Sequence, residues 1–163
     1  MGVEPGRDNA LRLPEGPGDY VLVLESADQE EFPVGKLGKM QIQPGFYLYA
    51  GSARGPGGLQ ARLKRHLRAA VDPHWHIDYL RQRSKILEIW ISQDPRQLEH
   101  RSAGVLSGLK GFLEPRPGFG ASDCRCFSHL FFSGRRPEIR EFQACFRAQT
   151  GLETAWSLHT REG

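Results

Sequence analysis

Hydrophobic positions fall in short runs whose spacing separates strands from helices. Tyr20 to Leu24 (Tyr-Val-Leu-Val-Leu) is apolar at every position, which predicts a strand covered on both faces. Residues 26–36 are polar and read as a loop. Leu37 to Gln43 alternates weakly and predicts a hairpin partner for the next strand, with Gln43-Pro44-Gly45 as the turn. Phe46 to Ala50 alternates as well, which sets Tyr47 and Tyr49 on one face and Phe46, Leu48 and Ala50 on the other. After the glycine-rich stretch Ser52 to Gly58, an apolar stripe of Leu59, Leu63, Leu67 and Ala70 predicts a helix. Lys64, Arg65 and Arg68 point away from that stripe, whereas Arg62 and His66 lie one above the other along its border.

The second half continues in the same style. His74 to Leu80 predicts a short helix, and Ile86 to Ile91 a strand. Asp94 as N-cap and Pro95 in the first turn predict a helix running to about Leu109. A loop follows from Gly111 to Ser122, then a short final strand from His129 to Phe132 and a last helix from Pro137 to Ala148. These elements predict an α/β (α+β) fold, a small mainly antiparallel sheet of three or more strands flanked by helices. Residues 1–17 read as a flexible N-terminal tail, 18–148 as one domain and 149–163 as a C-terminal tail.

Composition narrows the class more than the function. At 163 residues, 39% hydrophobic and 25% charged, the chain suits a single soluble domain. No stretch approaches the roughly 18 apolar residues of a membrane span. The polar start, Met-Gly-Val-Glu-Pro-Gly-Arg-Asp, lacks the apolar heart of a signal peptide. Three cysteines, Cys124, Cys126 and Cys145, make an odd count, which argues for a reducing compartment. The expected location is therefore the cytoplasm. The net charge of +3 is mild, but its distribution is uneven. Asp28, Glu30 and Glu31 gather early, while residues 54–71 hold Arg54, Arg62, Lys64, Arg65 and Arg68 and no acid. Such a patch attracts an anionic polymer, and it equally describes a solvated helix face.

Two groups of residues suggest chemistry. A tyrosine-bearing strand, a glycine-rich turn and a helix with Arg62 and His66 suit the handling of phosphate, since an arginine fork meets two phosphate oxygens at once. His74 and His76 together with Cys124, Cys126 and His129 are zinc-ligand types and form two pairs that could close a tetrahedral site. The Cys-x-Cys spacing departs from the usual knuckle. His76 could instead pack near the basic helix, and the cysteines could be plain buried residues. Tyr47 and Tyr79 suit core or rim positions, and Trp75, Trp90 and Trp156 suit packing.

Longer strings point to a family. Gly18-Asp19-Tyr20, then Tyr49-Ala50-Gly51, then Arg62 and His66 stand in the order seen in the GIY-YIG endonucleases, and the chain resembles that superfamily. The strings at 45–53, 55–59, 74–80, 122–126 and 128–131 (Gly-Phe-Tyr-Leu-Tyr-Ala-Gly-Ser-Ala, Gly-Pro-Gly-Gly-Leu, His-Trp-His-Ile-Asp-Tyr-Leu, Ser-Asp-Cys-Arg-Cys and Ser-His-Leu-Phe) are similar to a poorly characterised branch of it. The resemblance implies that Tyr20 and Tyr49 position or deprotonate the attacking water. It implies that Gly51 keeps the strand end open, that Arg62 holds the scissile phosphate and that His66 takes the site one turn on. Glu99 best matches the acid that binds Mg²⁺ or Mn²⁺, with Glu88 and Asp94 as competitors. Gly51, Ser52, Lys64, Arg65, Arg68 and His76 are the expected nucleic-acid contacts. The chain departs from the pattern at Asp19, where the family name has isoleucine. The expected function is metal-dependent hydrolysis of DNA, in a structured or damaged form, with RNA left open. The alternative is a nuclease-derived binding module without turnover, and a third is a zinc-stabilised interaction domain.

Overall fold

A computed structural model describes residues 11–68 and 72–161. Chain order is β1 (Gly18–Ser26), β2 (Glu30–Pro33), a 3₁₀ turn (Gly35–Leu37), β3 (Lys39–Ile42), β4 (Gly45–Ala53), α1 (Gly58–Leu67), α2 (His76–Arg81), β5 (Lys85–Ser92), α3 (Glu99–Ser107), β6 (Leu130–Ser133), α4 (Ile139–Thr150) and β7 (Ser157–Thr160). Five strands form one sheet in the order β6-β4-β1-β5-β7, and every neighbouring pair is antiparallel. This is the expected mixed α/β class with an antiparallel sheet flanked by helices.

The unbroken apolar run of β1 now has a cause. β1 is the central strand, and its alternate side chains enter two different cores. Tyr20, Leu22 and Leu24 join Tyr47, Ile89 and Ile91 beneath Leu59 and Leu63 of α1 and Ile77 and Leu80 of α2. Val21 and Val23 join Leu48, Ala50 and Trp90 against Ala103 and Leu106 of α3 and Phe142 and Phe146 of α4. β4 divides as its alternation predicts, with Tyr47 and Tyr49 toward the first core and Leu48 and Ala50 toward the second. Helix α1 ends at Leu67; Ala70, expected in its stripe, lies outside the described residues.

Four expectations change. Residues 26–36 are not all loop, because Glu30–Pro33 pairs with Lys39–Ile42 as a separate two-stranded sheet. β3 therefore partners β2 and not β4. The reason is burial: Phe32, Met40 and Ile42 all enter the first core. Asp94 does not cap a helix. Its carboxylate accepts the Arg96 backbone N–H at 2.9 Å and the Arg96 guanidinium at 2.8 and 2.6 Å, which closes a local bend. The helix begins only at Glu99, after the Leu98 N–H has donated to buried Asp19 at 3.0 Å.

Neither end is the plain tail expected of it. In 11–17, Leu11 and Leu13 pack on the first core, and the Gly16 carbonyl accepts the Leu59 N–H at 2.9 Å. In 149–163, Trp156 enters the second core, and β7 pairs with β5 as the true last strand.

Candidate active site

The site gathers where β4 runs out and β1 begins. Register sets Tyr20 directly opposite Gly51. A Cβ built at Gly51 would collide with the Tyr20 ring, meeting Cε2 at 2.6 Å. Gly51 was expected to keep room for substrate. It instead makes room for Tyr20, whose phenol lies across the bare backbone.

Tyr20 is buried and its hydroxyl lies 2.6 Å from His66 Nε2. Burial raises the Tyr20 pKa well above its ordinary value, and the nearby Arg62 charge only partly offsets it. In the Tyr20–His66 contact the phenol and the imidazole are each able to donate or accept, according to the tautomer. His66 Nδ1 is a buried atom with no hydrogen-bond partner. Burial beside Arg62 holds the His66 pKa down to about 3, so the ring is neutral. The border position expected for His66 is in fact interior, because the Tyr20 hydroxyl satisfies its inner nitrogen.

Arg62 is itself held from behind. Its guanidinium lies 4.2 Å from the Trp75 ring centre, and Arg65 stacks at 4.3 Å on the same ring. Arg65 also pairs with Asp78 at 2.8 Å. The Asp78 carboxylate accepts the His74 and Trp75 N–H groups at 2.8 and 2.9 Å, which starts α2. Arg65, one of the expected nucleic-acid contacts, thus takes part in this network while its side chain stays partly exposed and lines a cavity beside Arg62. Lys64 and Arg68 are exposed, and the Ser52 hydroxyl is a buried atom without a partner. The cavity, of about 230 Å³, opens between the Gly55–Gly58 turn, Arg62 and Trp75. Gly57 and Gly58 have φ of 82° and 56°, values that suit glycine, and a Cβ at Gly58 would collide with the Gly16 backbone.

Glu99 approaches from the opposite layer, at the first turn of α3. Its Oε1 lies 3.1 Å from His129 Nδ1. Its charge, after burial itself, helps raise the pKa of both Tyr20 and Tyr49, so both are neutral phenols. Tyr49 is held by edge contacts to His66 and Phe119, with ring centres 6.3 and 6.1 Å apart. Gly120, at φ 69°, passes close beneath it. The competing acids are engaged elsewhere. Glu88 pairs with Arg136 and accepts from Trp90 Nε1, each at 3.0 Å, while Asp94 holds Arg96.

The histidine–cysteine grouping is rearranged. His100, Cys124, Cys126 and His129 place one donor atom each within 4.8 Å of one another. His74 and His76 are not part of this group. His76 Nδ1 accepts the Gly120 N–H at 2.8 Å, so this half-buried ring anchors the loop and stands outside the histidine–cysteine group expected to include it. Sequence reasoning missed His100, which follows Glu99 on α3 and has no paired ligand nearby in the chain. It also missed Asp19, whose carboxylate bonds Arg54 at 2.6 Å as well as Leu98. The departure from isoleucine at Asp19 was the available signal.

The family described as Domain of unknown function DUF123 matches residues 19–151, a span that runs from Asp19 past Cys145 and includes every residue of this site. The chain belongs to that family. No curated protein and no solved structure matches it. Within the DUF123 domain, both tyrosines, Arg62, His66 and Glu99 come from four separate elements, and only folding brings them to one sheet end.

Proposed function

We propose that this DUF123 domain is a GIY-YIG-like endonuclease that hydrolyses phosphodiester bonds in DNA with a divalent metal. One observation supports it above the rest: an arginine, two neutral phenols and a carboxylate converge at one end of the sheet, and their electrostatics are mutually coupled. Arg62, oriented by Trp75 and lining a glycine-walled cavity, suits a phosphate oxygen. Tyr20, bonded to His66 and under the influence of Arg62, offers its phenolic oxygen to order an attacking water. Tyr49 shares that task from the next strand. The exposed Lys64 and Arg68 extend the positive surface along α1 for the flanking backbone.

The donor set fits magnesium. Glu99 is a hard-oxygen ligand within electrostatic reach of two phenolic oxygens, and one carboxylate with waters is an ordinary Mg²⁺ environment. Glu99 would hold Mg²⁺ or Mn²⁺, which supplies charge neutralisation at the phosphate and a more acidic bound water. His129 steers the carboxylate by holding one oxygen.

The test is cleavage of single-stranded, duplex, flapped and branched DNA, with the matching RNAs, in Mg²⁺ or Mn²⁺. Arg62→Ala and Glu99→Gln should each lower the rate about 10²–10³-fold, while DNA binding by filter retention persists. Equal cutting by wild type and both variants would sink the assignment. A wild type that cuts nothing yet binds DNA with a steep salt dependence would instead be a nuclease-derived binding module.

A further inference from the structure

The proposed reaction makes no use of His100, Cys124 or Cys126, and it uses His129 only through the Nδ1 contact with Glu99. We propose that these four residues form a zinc site that ties the long loop before β6 to the start of α3. The donor set is two thiols and two imidazoles, the soft combination that selects zinc in a tetrahedral shell. Spacing agrees. Cys124 Sγ lies 3.3 Å from His129 Nε2, and Cys126 Sγ lies 3.3 Å from His100 Nδ1. Zinc bonds of about 2.0 Å to nitrogen and 2.3 Å to sulfur imply tetrahedral edges of about 3.3–3.8 Å.

The proton on His129 is arranged for a ligand. Its Nδ1 lies 3.1 Å from both the Ala50 carbonyl and Glu99 Oε1, two acceptors that require an N–H there. Nε2 is then the lone-pair nitrogen, and it is the one that faces Cys124. A ligating histidine whose far N–H is held by a carboxylate is the usual outer shell of a zinc centre. Topology supplies a purpose. Residues 108–129 cross from α3 to β6 without a helix or named strand of their own, a length at which loops commonly need a tie. His129 is buried beside β6, whereas His100 is exposed on α3, so the metal would order His100 and both cysteines around His129. Because His129 holds Glu99, zinc would also fix the acid of the active site, a step that rests on the nuclease reading.

The experiment loads the full reduced chain with Zn²⁺, dialyses it and measures metal content, then repeats the loading with Co²⁺. One zinc per chain is expected, and the cobalt form should show a thiolate charge-transfer band with intense tetrahedral visible bands. Cys124→Ser, Cys126→Ser and His100→Ala should each weaken zinc at least tenfold, whereas Cys145→Ser, against the second core, leaves it unchanged. If a cysteine variant fails to fold, the wild-type cobalt spectrum decides alone. A chain that retains no zinc, a weak octahedral cobalt spectrum, or loss of zinc in Cys145→Ser would each overturn the site. Zinc held tightly by a chain that cuts no nucleic acid supports this site and counts against the nuclease reading.

Discussion

Tyr20 and Gly51 act as one unit across two strands. The tyrosine needs a neighbour without a side chain, and the register leaves only position 51 to provide it. Gly51→Ala should therefore cost about 1–3 kcal/mol in urea unfolding, the range for overpacking a filled core, and should disturb the Tyr20–His66 bond. A stability equal to wild type would show that the ring swings away freely. The two residues are legible in the chain as parts of tyrosine-glycine strings, but the contact between them is not. Alternation told which face Tyr49 takes; it could not tell that Tyr20 crosses over Gly51. His66 was legible as a residue on the border of the apolar stripe, but its depth was not; the facing Tyr20 hydroxyl gives the buried ring a partner.

Among elements, α3 teaches most. Asp94-Pro95 has every local sign of a helix start, yet Asp94 turns back on Arg96 and the helix waits for Glu99. The residue that organises its beginning is Asp19, far away in the chain and buried between Arg54 and the Leu98 N–H. Asp19→Ala should lower stability by about 1.5–3 kcal/mol, since it strands a cation and a buried N–H. Asp94→Ala should cost less than about 1 kcal/mol, as for other exposed pairs. Thermal unfolding of both variants checks the order, and a reversed order would return the cap to Asp94. Because Glu99 opens α3, the same contact places the proposed active-site acid, so one buried aspartate serves both helix and site.

At the scale of the molecule, the two cores differ in how they are closed. The first is shut by α1, α2 and the small hairpin sheet, all near β1 and β4 in the chain. The second needs its last residues: Trp156 packs on Phe142 and Phe146 with ring centres 5.0 and 5.6 Å apart, and β7 then covers the edge of β5. Trp156→Ala should destabilise by about 3–5 kcal/mol in chemical denaturation. A loss below about 1 kcal/mol would mean that this segment is the mere tail its composition suggests. Among the described residues no helix is long and apolar enough to cross a membrane.

The chain by itself determined the central strand, the tyrosine faces of β4, the basic amphipathic helix and the order of the site's parts, because each is written in spacing a few residues long. Tertiary structure decided which strand pairs β3, where α3 begins, why position 51 is glycine and that His100, not His74 or His76, meets the two cysteines. Those outcomes depend on contacts between residues that local spacing does not link: Tyr20 with His66, Asp19 with Leu98, His100 with Cys126. Such contacts arise when two cores bury a common sheet, and short-range periodicity holds no record of them.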